Sequence, residues 1–238
     1  MLEQYYGRND AGQVVFSRAN GSAFAKEVAN DFNPLHDIEA KRFAVPGDLL
    51  FAVLLANMGL YQNTGLKFTA MVTEDVELEF PTQAPGAIAD SNGKVFVEVS
   101  GDGPHQSFND GVEQLIRAYV AYSGMAFPHV LVPLMESANV MINPARPMVM
   151  YESMQISLGR MDLVAPELVT NTEKTVIASH GKRGEVVLAF DIVDAGEVVG
   201  SGEKHMLLSG LREFDREEMA AVVDSYAQWK AEYQSVNC

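Results

Sequence analysis

Asp31, Asn33, Pro34 and His36 fall within one short stretch of the chain, and their types and spacing could carry a reaction. A carboxylate and an imidazole both exchange protons with water, the imidazole near neutrality. Held one turn apart, the two can grip a single water by two hydrogen bonds, take its proton and return one. That is the work needed to hydrate an activated C=C bond; with the carboxylate as base, the same water can attack a thioester carbonyl. Asn33 and Pro34 make the turn, because the residue before a proline is driven out of the helical region and a helix arriving there must stop. Asn33 is placed to orient either partner. The plain alternative is a helix-ending turn of Asp, Asn and Pro that carries a hydrogen-bonded surface histidine.

The elements that must position this turn follow from period and capping. Ser22 can cap a short helix in which Phe24, Val28 and Phe32 recur every four residues, ending near Asp31. Asp48 fits as the N-cap of a second helix, and the run LLFAVLLANMGLY is apolar on nearly every face, which predicts a central buried helix. Val76, Leu78 and Phe80 alternate with Asp75, Glu77 and Glu79, and Val95, Val97 and Val99 repeat that two-residue period of a half-buried strand. Pro85-Gly86 and Asn92-Gly93 supply turns between them. A second round begins with Val112, Leu115, Ile116, Tyr119, Val120 and Ser123 on one helical face, capped by Ser107 or Asn109. Strands return around Met154 to Leu158, Leu188 to Ile192 and Val198 to Leu208, with a turn at Asp194 to Glu197. From Arg212 onward, Met219, Val222, Val223, Tyr226, Trp229 and Tyr233 share a helical face, expected on the outside of the sheet or against a partner. A long helix followed by antiparallel strands, twice over, predicts an α+β fold in which a curved sheet wraps each helix.

The stretch from Ala29 to Phe43 resembles the signature of the MaoC-like dehydratases, the family of the (R)-specific enoyl-CoA hydratases. Asp31, Asn33, Pro34 and His36 match its Asp-x-Asn-Pro-x-His run, and Glu39, Ala40 and Phe43 follow as the pattern asks. The resemblance implies a hotdog fold and, for 238 residues, a double hotdog. Residues 1–104 would be the motif-bearing unit and 105–238 a second unit without the motif, with a C-terminal helix. It further implies that Asp31 and His36 are the acid/base pair of a hydro-lyase adding water to a trans-2-enoyl-CoA or related acyl thioester. In such enzymes a backbone N–H at a helix start holds the thioester oxygen, and Gly47 is the matching amide here. Lys41, Arg42 and Phe43 become candidates for substrate binding, the two cations through the phosphates of CoA or a carrier pantetheine. The chain departs from the family by lacking its His-Gly pair: Phe43-Ala44-Val45-Pro46-Gly47-Asp48 runs directly into the long helix. Asp48 then sets a negative charge beside the oxyanion position unless it turns away as a cap. Two other functions fit the same residues, a non-catalytic acyl-thioester-binding or regulatory hotdog protein and a hotdog thioesterase. Over its full length the chain is also similar to a gamma-proteobacterial family of unassigned function.

Composition narrows the partners. Lys and Arg number 17 against 32 Asp and Glu, and a net charge of −15 repels phosphate backbones and anionic membrane faces, so nucleic acid and membrane partners are not expected. The lone cysteine, Cys238, allows no intrachain disulfide and suits a reducing cytoplasm. Met1 to Gly12 has no apolar targeting core, and the apolar stretch Leu49 to Ala56 falls short of the ~18 residues of a membrane span. His105, His129 and His205 share no metal-ligand spacing, and no phosphate loop, dinucleotide fingerprint or nucleophile elbow occurs, so no cofactor or metal is implied. Phe108-Asn109-Asp110 lacks a following Pro and His and reads as a cap. The methionines from Met141 to Met161 fill core or line an adaptable apolar slot, and His180 to Gly184 is a cationic hairpin tip. An acyl-CoA or acyl-carrier thioester is the expected partner, and a monomer or a homodimer is equally allowed.

Overall fold

The apolar run after Pro46 forms a helix with almost no solvent face: Leu49 through Leu55 is buried without interruption in the computed structural model, which describes residues 2–146 and 148–237. Cys238 and the expectation placed on it lie outside the described residues. In chain order the first elements are β1 (Gly7–Arg8), β2 (Val14–Val15), α1 (Arg18–Ala23), α2 (Gly47–Met58), β3 (Leu60–Phe68), β4 (Leu78–Glu79), β5 (Gly86–Asp90) and β6 (Val95–Gln106). There follow α3 (Asp110–Ala126), α4 (Val132–Ser137), β7 (Val140–Met141), β8 (Met148–Leu158), β9 (Glu167–Thr170) and β10 (Val176–His180). The last are β11 (Arg183–Asp194), β12 (Glu197–Ser209), β13 (Arg212–Glu213) and α5 (Arg216–Asn237).

Mixed helix and sheet is confirmed, with one large antiparallel sheet of 11 strands in the order β1-β2-β4-β5-β6-β3-β8-β12-β11-β10, and β9 also on β11. Read outward from the centre, β3-β6-β5-β4 and β8-β12-β11-β10 follow the same rule: the strand after the long helix is innermost, and later strands return towards it from the edge. The halves join where β3 pairs with β8, from Asn63 opposite Ser157 to Lys67 opposite Ser153. The long helices α2 and α3 pack on each other and into a common core that includes Phe51, Leu54, Tyr119 and Phe190. A second cluster, with Met135, Met141, Leu188, Met206 and Met219, fills the space beneath α4 and α5. The continuous helical stretch Asp110–Ser137 is long and apolar enough to cross a membrane by length and composition. Its Val112, Leu115, Ile116, Tyr119 and Val120 are buried in the core.

Several boundaries differ from those read in the sequence. The first helix begins five residues earlier, where Ser17 accepts from Asn20 N–H and Asn20 answers in a capping box; Ser22 is buried inside it. It ends in a π-helical turn at Phe24–Val28, short of Asp31. Asp48 is not the cap of α2: the helix starts on Pro46 without a side-chain cap, and Asp48 lies in its first turn. Asn109, not Ser107, caps α3 through a 3.0 Å bond from Val112 N–H. The run read as helix through Tyr61 turns into strand at Leu60, because Gly59 takes the left-handed backbone (φ 81°) and a Cβ there would meet the Gln106 carbonyl at 2.5 Å. Of the expected strand around Val76 to Phe80, only Leu78–Glu79 pairs. The C-terminal helix starts at Arg216, not Arg212, and lines a cavity.

Candidate functional site

The turn that carries Asp31 and His36 is built by successive local interactions. The helical segment stops at Asn30, which adopts the left-handed region (φ 54°) that asparagine tolerates, and Asp31 N–H reaches back to the Ala25 carbonyl at 2.7 Å. Asp31 Oδ1 then accepts from Asn33 N–H at 2.9 Å. The Asn33 side chain accepts from Leu35 N–H at 3.0 Å and so caps a 3₁₀ turn, Pro34–His36, whose first residue is a proline suited to that position. The Asn33 carbonyl also receives His36 N–H at 3.0 Å. Asn33 therefore positions both partners through its backbone, while its amide is used in the cap.

His36 Nδ1 lies 2.8 Å from the Ala44 carbonyl. A carbonyl only accepts, so Nδ1 carries a proton and Nε2 is the nitrogen turned towards Asp31. Nε2 and Oδ2 are 3.9 Å apart, with the two side chains 12% and 27% exposed. That gap is too long for a direct hydrogen bond and fits one water donating to both atoms. Desolvation raises the Asp31 carboxyl above its ordinary value, and the nearby Asp48 adds to the rise; His36, the Asn33 N–H and Lys204 pull the other way.

Both groups open on a cavity of about 960 Å³. Gly47 and Asp48, at the uncapped start of α2, line it. Glycine is required at 47 because a Cβ would meet the Tyr151 ring at 2.6 Å. Beside it lies a buried polar cluster that sequence reading missed. Lys204 Nζ stands 3.3 Å from Asp48 Oδ1, donates to Ser123 Oγ and sits 4.0 Å from the centre of the Tyr151 ring. Both members of the ion pair are nearly excluded from solvent. Tyr151 and Tyr119 pair through their hydroxyls, and burial pushes both phenols well up. Asp48 is thus neutralised by Lys204 and does not act as a cap. No signal in the sequence marks this pair, whose members are 156 residues apart.

The remaining wall is largely apolar, with Lys67, Thr69, Glu152, Glu218 and Ser225 as its further polar members. Leu50, Phe68, Phe127, Leu131, Leu188 and Met206 contribute from five elements, and α5 adds Ala221, Val222, Tyr226 and Trp229 at helical spacing. Of the methionine-rich stretch, Met150 lines the cavity while Met141 and Met154 lie in core. The structure does not bring the other predicted binding residues to this wall. Lys41 and Arg42 are exposed on the loop that follows the motif, and Phe43 is 1% exposed, its ring packed where a Cβ on Gly21 would touch it. Among the described residues, no three His, Cys, Asp or Glu side chains converge as metal ligands would.

Asp31 and His36 thus face a largely apolar cavity that the uncapped start of α2 also lines, in a chain of mixed helix and antiparallel sheet. The chain belongs to the DUF3581 family, described as a protein of unknown function, whose profile matches residues 1–217. No curated protein matches it. Among solved structures it is similar to a protein designated a thioesterase II from Thermobifida fusca YX, with 11% identity, a TM-score of 0.42, and coverage of 86% of this chain and 95% of that one. An acyl-CoA thioesterase II, TesB2, from Mycobacterium marinum gives 11% identity, a TM-score of 0.40 and coverage of 90% and 99%.

Proposed function

We propose that the cavity binds an acyl thioester and that Asp31 and His36 activate one water against it, in a chain of two hotdog units whose division, expected at 104/105 inside β6, is better drawn at the connection from β6 to α3. The observation that carries this reading is the 3.9 Å separation of Asp31 Oδ2 and His36 Nε2 at the wall of an apolar cavity that the start of α2 also lines. The raised carboxyl suits a general base, since proton transfer is most effective when the base titrates towards the working pH. Lys204 cancels the charge of Asp48, which would otherwise oppose negative charge beside the Gly47 amide.

Hydrolysis of the thioester is the leading reaction, because it needs only a base, a water and an oxyanion donor, and candidates for all three positions share this cavity. Water oxygen bonds to the carbonyl carbon as its proton passes to the pair, the carbonyl oxygen takes the negative charge near Gly47, and collapse breaks the C–S bond. The thiolate leaves with the proton returned by the pair, so one thioester and one water give one carboxylic acid and one thiol. Hydration is the second reading, favoured by the Asp-x-Asn-Pro-x-His run at residues 31–36. There the water oxygen bonds to Cβ and a proton to Cα of a 2-enoyl thioester, with the C–S bond intact. Lys41 and Arg42, exposed next to the motif, remain candidate contacts for the phosphates of a CoA or carrier arm.

Purified protein mixed with decanoyl-CoA and, separately, crotonyl-CoA tests the proposal through thiol release and loss of the enoyl absorbance. Thiol release identifies a thioesterase; loss of absorbance without thiol identifies a hydratase. Asp31→Asn and His36→Ala should each lower turnover by at least ~10²-fold, the effect of losing an acid/base group. Turnover undiminished in both variants removes the pair from the reaction, and ligand binding without either product leaves a binding protein.

A further inference from the structure

Asp31 is held from two sides, and the second side belongs to the last helix. Oδ1 accepts from Asn33 N–H within its own turn, and the Tyr226 phenol of α5 lies 3.3 Å from the same oxygen. Oδ2 is the oxygen that faces His36. The phenol is fixed in its turn: Phe32 N–H donates to Tyr226 Oη at 3.0 Å, which leaves the phenolic proton for Asp31 Oδ1 or for the Asn30 carbonyl at 3.4 Å. An ionised carboxylate is the stronger acceptor of the two. The rings of Phe32 and Phe127 pack on Tyr226 with centroids 6.1 and 5.3 Å away, so the hydroxyl is placed by packing as well as by hydrogen bonds.

We propose that Tyr226 is a positioning residue that engages Asp31 Oδ1, so that Oδ2 alone is presented to water and His36, and that favours the ionised carboxylate. The inference rests on Asp31 as the base, but it makes a claim about Asp31 that is measured without turnover. The charged and titratable groups facing Asp31 are His36 from its own turn, Tyr226 from α5, Asp48 from α2 and Lys204 from β12. Removing the phenolic donor leaves the other three in place, so the carboxyl should hold its proton to higher pH.

The test uses the full chain with ¹³C-labelled aspartate carboxyls, Asp31 being assigned by its disappearance in Asp31→Asn. Trp229 is the sole tryptophan and lies on the same helix, so its emission reports whether α5 stays docked. In Tyr226→Phe, Asp31 should titrate roughly one pH unit higher with Trp229 emission unchanged, and the acid limb of turnover should move by the same amount. Replacing Tyr226 by 3-fluorotyrosine, which keeps the shape and strengthens the donor, should move the titration the opposite way and decides the matter if the phenylalanine variant undocks α5. Unchanged Asp31 titration in a docked variant overturns the proposal. Absence of turnover in the unaltered protein overturns the reaction instead, and the titration still decides the role of Tyr226.

Discussion

The stretch ahead of α2 and the stretch ahead of α3 solve the same connection differently. In the second half, β6 ends at Gln106 and α3 begins at Asp110, with Asn109 closing the helix start through Val112 N–H. In the first half, α1, a π-helical turn and the Pro34–His36 turn stand between β2 and α2, and α2 begins on Pro46 with no side-chain cap. An asparagine serves both segments. The Asn109 side chain accepts from one amide of its own long helix, that of Val112, whereas Asn33 caps the short turn that holds His36, and the start of α2 faces the cavity without a side-chain cap. One strand order therefore supports a capped helix start on one side and an uncapped one that shares a cavity with Asp31 and His36 on the other. The halves also touch near the far end of α3: a Cβ on Gly124 would fall 1.5 Å from the Ala29 carbonyl, so only glycine lets α3 cross the segment that leads into Asp31.

The largest effect should come from cutting the link between the halves. Lys204→Met leaves Asp48 buried without its cation, which costs about 3–5 kcal/mol for a pair this enclosed. Adding Asp48→Asn should restore most of the melting temperature, and a double variant no more stable than Lys204→Met would show that the pair does not join the halves. Next in size is a reversal of sign between two aspartates. Asp31 has a raised carboxyl, so its contribution to stability is present below the ordinary carboxylate range and is lost as pH rises through its own value. Asp194 in the second half is held low by the N–H groups of Ala165 and Val164 and by Arg160, so its contribution is present at neutral pH and lost in acid. Melting curves at pH 7 should rise for Asp31→Asn and fall for Asp194→Asn, with both differences vanishing towards pH 2. Two shifts of the same sign would erase the contrast between a carboxyl that the fold holds high and one that it holds low. The smallest effect is expected on the capped side: Glu113 and Arg117 pair one turn apart on α3 at 2.7 Å, and Glu113→Ala should cost about 0.3–0.5 kcal/mol, fading in salt.

What was legible in the sequence was local. The α3 stripe, the Asn92-Gly93 turn, the strand around Met154 to Leu158 and the turn at Asn33-Pro34 all depend on neighbours a few residues away. β3 was missed because it pairs on both edges at the centre of the sheet and yet carries Tyr61, Gln62, Asn63 and Thr64 in succession, which breaks the alternation that marks a strand. The short strand β4, set between β2 and β5, is overextended in the sequence reading for the opposite reason: alternation continues from Val76 to Phe80 although backbone pairing covers only Leu78 and Glu79. The amphipathic pattern identified α5 but not its neighbour, since an apolar face says that something must cover it and not what.

The sequence by itself determined the chemistry available at one turn: a carboxylate, a histidine, and an Asn-Pro turn that sets them a few residues apart. Backbone stereochemistry fixes such spacing without help from the rest of the chain. Tertiary structure decided what those groups meet. Tyr226 reaches Asp31 across 195 residues, Lys204 reaches Asp48 across 156, and the cavity wall is shared by elements from both halves. Burial and partner charges set the proton affinity of a carboxylate, and both belong to the packed fold and not to the local run of residues.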